Sequence, residues 1–425
     1  MTEADLLLTG IAELATPLGI TARIGADLGR IAVLENAAVA CRDGVIVWVG
    51  PESELAQAVR PLAGATRADA AGGTVLPGFV DAHTHLPFAG WRESEFDERL
   101  RGTTYTEIAA RGGGILSTVA RTRAMERPAL TALVRARLDE LLALGTTTVE
   151  AKSGYGLARH HEMKQLEALR DASAGHAVAV VPTFLGAHTV PLEYRGNREA
   201  YVRLLIEEML PAVAAARLAE FADAFVDANA FSVDEARRVL SAARAHGLGV
   251  RLHADQLADD GGAALAASLG AASADHLEFT TERGMEALAA AGTCGVILPA
   301  ATFFLMMDEA PPARKLVEAG VPVVVATDFN PGSCPIDSMA CAVGFACLSA
   351  RLSVDEAITA ATLNAAHSLR RADRVGSIEV GKRADLVVHA VPNRYHLVYR
   401  FGAPRIRLVI CAGKVEYHNP GRPWA

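Results

Sequence analysis

The sequence predicts an α/β chain, a (β/α)8 TIM-like barrel carrying a small composite β-sandwich domain built from both termini. Three observations predict it. Apolar runs of strand length alternate with helical stretches through the middle of the 425 residues, the pattern of parallel strands joined by crossover helices. Both ends of the chain lack that alternation and show β-branched runs broken by turn residues. Histidines and a carboxylate stand just after several of the central runs, where a barrel collects its chemistry.

The predicted divisions are 1–75 for the N-terminal part of the composite β domain, 76–370 for the barrel and 371–425 for the C-terminal part. In the first, AVACRDGVIVWVG at 38–50 holds two β-rich runs separated by Arg42-Asp43-Gly44, a hairpin signal. The same texture returns in SIEVGKRADLVVHAV at 377–391 and RIRLVICAGKVEYH at 405–418. Two similar ends around a different middle predict that the termini meet in one sheet.

Barrel strands are predicted at 75–80, 146–150, 178–185, 224–226, 249–252, 274–277, 294–298 and 321–326. Helical stretches between them include 130–144, 160–172, 233–246 and 261–269. A doubly wound open sheet is the competing layout, but it normally carries a Gly-rich turn after its first strand. Here that strand runs into Asp81-Ala82-His83-Thr84-His85, and Gly112–Gly114 follows no strand.

Composition removes several function classes. With 41 Lys+Arg against 49 Asp+Glu and no basic run, a nucleic-acid backbone is not the expected partner. Six cysteines form no CxxC pair and read as reduced thiols rather than a disulfide framework. The first 19 residues carry no basic region ahead of an apolar stretch, and no run reaches the ~18 apolar residues of a membrane helix. A cytoplasmic protein with no membrane partner is the expectation.

The strand ends carry the chemistry. His83 and His85 follow the first predicted strand, His253 the fifth, His276 the sixth and Asp328 the eighth. Side chains i and i+2 of an extended segment point the same way, so His83 and His85 can share a ligand. Imidazoles plus a carboxylate at one rim suit a catalytic Zn²⁺ or Fe²⁺ that keeps a position for water and lowers its pKa from ~15.7 to ~7. Singly, each residue has a plainer reading. An HxH pair is a weak signal, His253 or His276 could be a hydrogen-bonded strand-end histidine, and Asp328 could cap the next helix. Their joint placement at one rim favours the metal.

PGFVDAHTH, HAD at 253–255, ADH at 274–276, ATD at 326–328 and GSIEVGKRADLVV at 376–388 resemble the amidohydrolase superfamily. A narrower resemblance is to its imidazolonepropionases. It rests on FAGWRESEFDERLRGTTYTEI (88–108), GGGI (112–115), KSGYGL (152–157), PTFLGAH (182–188), HADQ (253–256) and TDFNPGS (327–333). The resemblance implies one metal per chain, Zn²⁺ or Fe²⁺/Fe³⁺, on His83, His85, His253 and Asp328, with His276 beside it. It also implies Arg92, Tyr155, His188, Gln256 and Ser333 around the substrate, with Asn330 and Gly332 meeting the product, and a homodimer.

The implied reaction is metal-hydroxide hydrolysis of the cyclic amide of 4-imidazolone-5-propanoate to N-formimidoyl-L-glutamate, in histidine degradation. Arg92 suits the propionate as a bidentate partner, its plainer reading being an ion pair with Glu93 or Glu95. Deaminases of the superfamily place a Glu three residues after the fifth-strand His. This chain has Gln256 there, and an amide cannot relay a proton. The expected acceptor is Asp328, with His276 orienting or polarising and Gln256 hydrogen-bonding the substrate. Lys152, which could be mistaken for a metal-bridging lysine, reads as a structural or rim charge. Trp91 stands where the family usually has a small residue.

Overall fold

The computed structural model describes residues 1–103, 107–108, 111–228, 230–402 and 405–420. Residues 104–106 of the 88–108 motif therefore lie outside the described residues. Among the described residues, fifteen strands fall into two sheets.

The barrel sheet runs β5 (Phe79–Asp81), β6 (Thr146–Lys152), β7 (Ala179–Ala187), β8 (Phe221–Ala224), β9 (Gly249–Ala254), β10 (Ser273–His276), β11 (Cys294–Ile297) and β12 (Val323–Val325). Neighbours pair in sequence order and in parallel. Every residue of β6, β8, β9, β10, β11 and β12 is buried, as expected for parallel strands covered on both faces. Helices such as Arg127–Ala143, Arg159–Ser173 and Val233–Ala245 return the chain between strands. The last starts at a capping box in which Ser232 and Glu235 satisfy each other's backbone donors.

Closure happens at the rim. β5 and β12 meet through a parallel bridge between Thr84 and Phe329, with Asp328 N donating to His83 O at 3.1 Å and His85 N to Phe329 O at 2.9 Å. The seam that closes the barrel therefore holds His83, His85 and Asp328 side by side.

The second sheet is mixed and seven-stranded, in the order β15-β14-β13-β4-β1-β2-β3. It is built from β1 (Thr2–Thr16), β2 (Ala32–Arg42), β3 (Val45–Pro51) and β4 (Val59–Pro77) at one end of the chain, and β13 (Leu386–His389), β14 (Ile406–Cys411) and β15 (Lys414–His418) at the other. Both termini thus join one sheet. β2 and β3 form the predicted hairpin, pairing Arg42 with Val45. Asp43 and Gly44 both take positive φ, 51° and 82°, the requirement of a tight primed turn. Period-2 alternation gives the sheet two apolar faces. Val75, Leu386, Val388, Leu408 and Ile410 face its own core, while Leu76, Val387, Val409 and Cys411 pack into the barrel's core.

Three expectations change. The apolar run 75–80, read as one barrel strand, is divided between the sheets: β4 ends at Pro77 and β5 begins at Phe79. Gly78 makes the hinge, because a Cβ there would stand 2.2 Å from Thr147 Oγ1. The N-terminal strands are also longer than short runs, with 15 residues in β1 and 19 in β4. β4 keeps its ladder through Pro61, Gly64 and Gly73 by shifting register along β1. The strand read at 224–226 begins earlier, at Phe221. All six cysteines are free thiols, and no described helix is long and apolar enough to cross a membrane.

Candidate metal centre and active site

The strand-end residues converge. His83, His85 and His253 present ligand atoms within 4.8 Å of one another, and so do His83, His276 and Asp328. Asp328 Oδ1 lies 3.5 Å from both His83 Nε2 and His85 Nε2. Four donors at ~2.1 Å around a tetrahedral ion stand about 3.4 Å apart, so these spacings match the edge of such a site. His83 Nε2 and His253 Nε2 are buried without a hydrogen-bond partner. Orphaned imidazole nitrogens facing a shared carboxylate are the donor chemistry of a metal site, and the residues fit a divalent cation.

Local backbone aims these groups. Asp328 has φ 60°, His276 has φ 83° and Asp255 has φ 52°, left-handed values that L side chains adopt at a cost and that cluster at functional sites. Asp255 then accepts from Gly262 N at 2.8 Å and Ala263 N at 3.2 Å, anchoring the following helix (Gly262–Ser268) on the rim.

Beneath the ligands lies a set of buried charges. His83 Nδ1 is 2.7 Å from Asp275 Oδ2. His253 Nδ1 is 3.0 Å from Asp223 Oδ2, and its backbone N donates to Asp223 Oδ1 at 3.2 Å. Carboxylates behind the far nitrogen fix a ligand imidazole's tautomer and ring angle. Lys152, Glu150 and Arg251 complete the set, and all five side chains have no exposed surface. Asp223, Asp275 and Glu150 had no role in the sequence reading; Asp223 and Asp275 meet their partners only across strands distant in sequence.

Burial drives the titration of this region. It holds His83, His85 and His188 below the ordinary imidazole range, reinforced by positive neighbours such as Lys152 for His83 and His85 for His188. Neutral imidazoles are the ligating form. His276 moves the other way: burial opposes its charge, but Glu278, with Oε1 3.8 Å from Nδ1, and Asp328 outweigh it. Asp328 is held low, its burial outweighed by the imidazoles around it.

Above the ligands opens a cavity of about 620 Å³, lined by His85, Arg92, Tyr155, His188, His253, Gln256, His276, Asp328, Asn330, Gly332 and Ser333 among others. All the residues singled out for substrate and product therefore border the same space as the metal donors, apart from His83, which lies below it. Tyr155 and His188 stand together with ring centres 5.4 Å apart, and His188 stacks on His85 at 5.3 Å. Gly154 makes the bend that brings them there, with φ 109° and His188 Nδ1 2.9 Å from where a Cβ would be. Glu162, fully buried, holds that bend by accepting from Gly154 N, Gly156 N and Leu157 N at 3.1, 2.8 and 2.7 Å. Nothing local in the sequence marked it.

Arg92 lies at the opposite wall, its side chain 14% exposed, with Nε 3.7 Å from Glu95 Oε2. Glu95 also accepts from Gly114 N at 3.1 Å and Ser117 Oγ at 3.2 Å, so the ion pair leaves Arg92 only loosely engaged. Asn330 ties its own turn. Its amide donates to Asp328 O at 2.6 Å and Ser333 Oγ at 2.7 Å, and accepts from Gly332 N and Ser333 N, both at 2.8 Å. With both donors and both acceptor positions used, Asn330 shapes the wall beneath Arg92. Lys152 is buried under the ligands rather than at the rim.

The amidohydrolase family pattern matches residues 74–415. The imidazolonepropionase of Symbiobacterium thermophilum is 50% identical over 98% of this chain and 100% of its own length. That of Shewanella oneidensis is 47% identical over 90% of this chain and 94% of its own. The chain belongs to the amidohydrolase family, among its imidazolonepropionases. Solved amidohydrolase-like structures agree on the fold alone. A Xanthomonas campestris adenosine deaminase with bound zinc superposes with TM-score 0.72 at 22% identity, covering 98% of this chain and 93% of that one. A Klebsiella pneumoniae 5-methylcytosine deaminase has TM-score 0.72 at 17% identity, covering 99% of each. Within this family, the His-rich rim is a divalent-metal site.

Proposed function

We propose that this imidazolonepropionase-family chain hydrolyses the ring amide of 4-imidazolone-5-propanoate to N-formimidoyl-L-glutamate, using one divalent metal per chain. The observation that carries the reading is that His85, His253 and Asp328, clustered with the buried His83 beneath them, border the same cavity as Arg92. A small flat ring with a carboxylate tail needs both. Neutral purine or pyrimidine bases, the substrates of a deaminase, have no use for the arginine.

His83, His85, His253 and Asp328 would hold the cation. When bound, it supplies Lewis acidity to the ring carbonyl and acidifies a water. The donor set suits zinc or ferrous iron alike; we favour zinc, whose tetrahedral preference matches the 3.5 Å donor spacings. Arg92 grips the propionate through its guanidinium, fixing the ring above the donors. Tyr155 and His188 border the ring, and Gln256 and Ser333 offer hydrogen bonds to its polar edge. Asp328 accepts the proton of the attacking water and returns it to the ring nitrogen as the C–N bond breaks. His276, backed by Glu278, donates toward the developing oxyanion. We also propose a homodimer on the family's pattern.

The test gives purified protein freshly generated 4-imidazolone-5-propanoate. Loss of its ultraviolet absorbance with appearance of formimino-glutamate, abolished by a chelator and restored by zinc, is the expected result. No conversion by protein holding about one zinc per chain would sink the substrate assignment.

A further inference from the structure

The mechanism makes no use of Lys152, yet it is one of the most enclosed charges in the chain. Its side chain and those of Glu150, Asp223, Asp275 and Arg251 have no exposed surface. Lys152 Nζ lies 2.9 Å from Glu150 Oε1, 2.9 Å from Asp223 Oδ2 and 3.7 Å from Asp275 Oδ2. Each carboxylate grips a different part of the ligand set. Glu150 Oε2 accepts from the backbone N of Thr84, between His83 and His85, at 3.3 Å. Asp223 holds the His253 ring and backbone N, and Asp275 holds the His83 ring. The backbone N of Lys152 also donates to Thr84 O at 2.9 Å.

We propose that Lys152 is a positioning residue for the metal ligands, its ammonium tying together the three carboxylates that orient His83, His85 and His253. The inference rests on the metal reading above. Three carboxylates confined this closely repel one another and would swing apart without a cation between them. Arg251 does not substitute: of the three carboxylates it pairs only with Asp275, at 3.5 Å from Nη2, and that same nitrogen donates to Ala82 O at 2.8 Å while Nη1 donates to Ser368 O at 3.2 Å. A plain charge-balancing role would need a cation anywhere in the cluster. A positioning role needs this one, at the point where all three carboxylates meet.

The two roles separate in the charge-compensated double variant Lys152→Met/Glu150→Gln. It removes one cation and one anion, leaves the net charge of the cluster unchanged, and keeps an amide oxygen that can accept from Thr84 N. Three readouts apply: zinc stoichiometry, the rate of zinc loss to a chromogenic chelator, and ¹⁵N chemical shifts of the histidine rings in zinc-free protein. The double variant is expected to fold, to release zinc about 10–100-fold faster than wild type, and to show His253 exchanging between tautomers. Wild-type zinc retention with an unchanged His253 signal would reduce Lys152 to charge balance and overturn the proposal. Should the double variant not fold, Lys152→Arg, which keeps the charge but moves its point of contact, decides. Faster zinc loss with His253 exchanging between tautomers supports the proposal, and wild-type zinc retention with an unchanged His253 signal overturns it. Failure of the wild type to take up zinc would instead overturn the metal reading, a separate result.

Discussion

The Arg92 guanidinium lies over Gly332 so closely that a Cβ built on Gly332 would stand 1.1 Å from Arg92 Nη2. A glycine in the 330–333 turn is therefore the floor on which Arg92, the proposed carboxylate binder, rests, and the turn's own hydrogen bonds run through Asn330. Gly332→Ala should push Arg92 off the wall and cost its charge-assisted contact with the substrate, worth about 1.5–3 kcal/mol. KM is expected to rise about 10- to 100-fold with zinc content unchanged, and steady-state kinetics with metal analysis check this. An unaltered KM would show that Arg92 does not meet the propionate.

Asp328 has two assignments, metal donor and proton acceptor, and its truncation should expose both. Asp328→Ala is expected to lower zinc occupancy and reduce kcat by about 10²- to 10⁴-fold even when zinc is supplied in excess. Ser333→Ala removes the hydroxyl that donates to Asp328 Oδ2 at 3.3 Å and accepts from Asn330 Nδ2 at 2.7 Å, leaves the metal donors in place, and should cost about tenfold. Full zinc and near-wild-type turnover in Asp328→Ala would end the proton-acceptor assignment.

How legible this was in the sequence depended on range. The barrel and the convergence of His83, His85, His253, His276 and Asp328 at one rim could be read because each of these residues follows an apolar run, a local pattern that period and spacing expose. The hairpin at Asp43-Gly44 was legible for the same reason. The division of 75–80 between two sheets was not, since Val75 through Val80 are all buried and hydrophobicity cannot say which sheet buries them. The buried charges escaped for a related reason. Glu150 ends a run read as a buried strand and Lys152 follows it as a structural or rim charge; their joint role is legible only once Asp223 and Asp275, from other strands, are brought alongside. Glu162 likewise gains its meaning only when the 154–157 bend folds back onto it.

Gln256 lines the cavity with His253 and His276 where a carboxylate would serve as a proton relay. Gln256→Glu should therefore add an ionisation at the cost of the amide's N–H donors. The expected kcat/KM stays within about tenfold of wild type, while its acid limb acquires a second proton-dependent step. A pH–rate profile from 5 to 9 on both proteins reads the difference. Superimposable profiles would mean that position 256 does not reach the reacting atoms.

His389 offers a pH dependence of stability away from the metal. It sits on β13 edge-to-face with Phe79, centroids 5.8 Å apart, and burial pushes its pKa below the ordinary imidazole range, down to about 3. In the folded chain the imidazole stays neutral, while in the unfolded chain it takes a proton below about 6.5. The unfolded state thus binds more protons between those two values, so stability falls as pH drops through the window. By pH 4 the loss from this one group approaches about 3 kcal/mol. Buried Asp385, raised to about 6, acts with the opposite sign, gaining stability as pH falls, so the wild-type curve alone cannot isolate His389. The difference between wild type and His389→Leu can, because any packing change in the variant is independent of pH. Urea midpoints measured from pH 7.5 to 4 should show the gap between the two proteins shift in favour of the variant as pH falls below about 6.5. A constant gap across that range would mean that His389 takes up its proton in the folded state as readily as in the unfolded one.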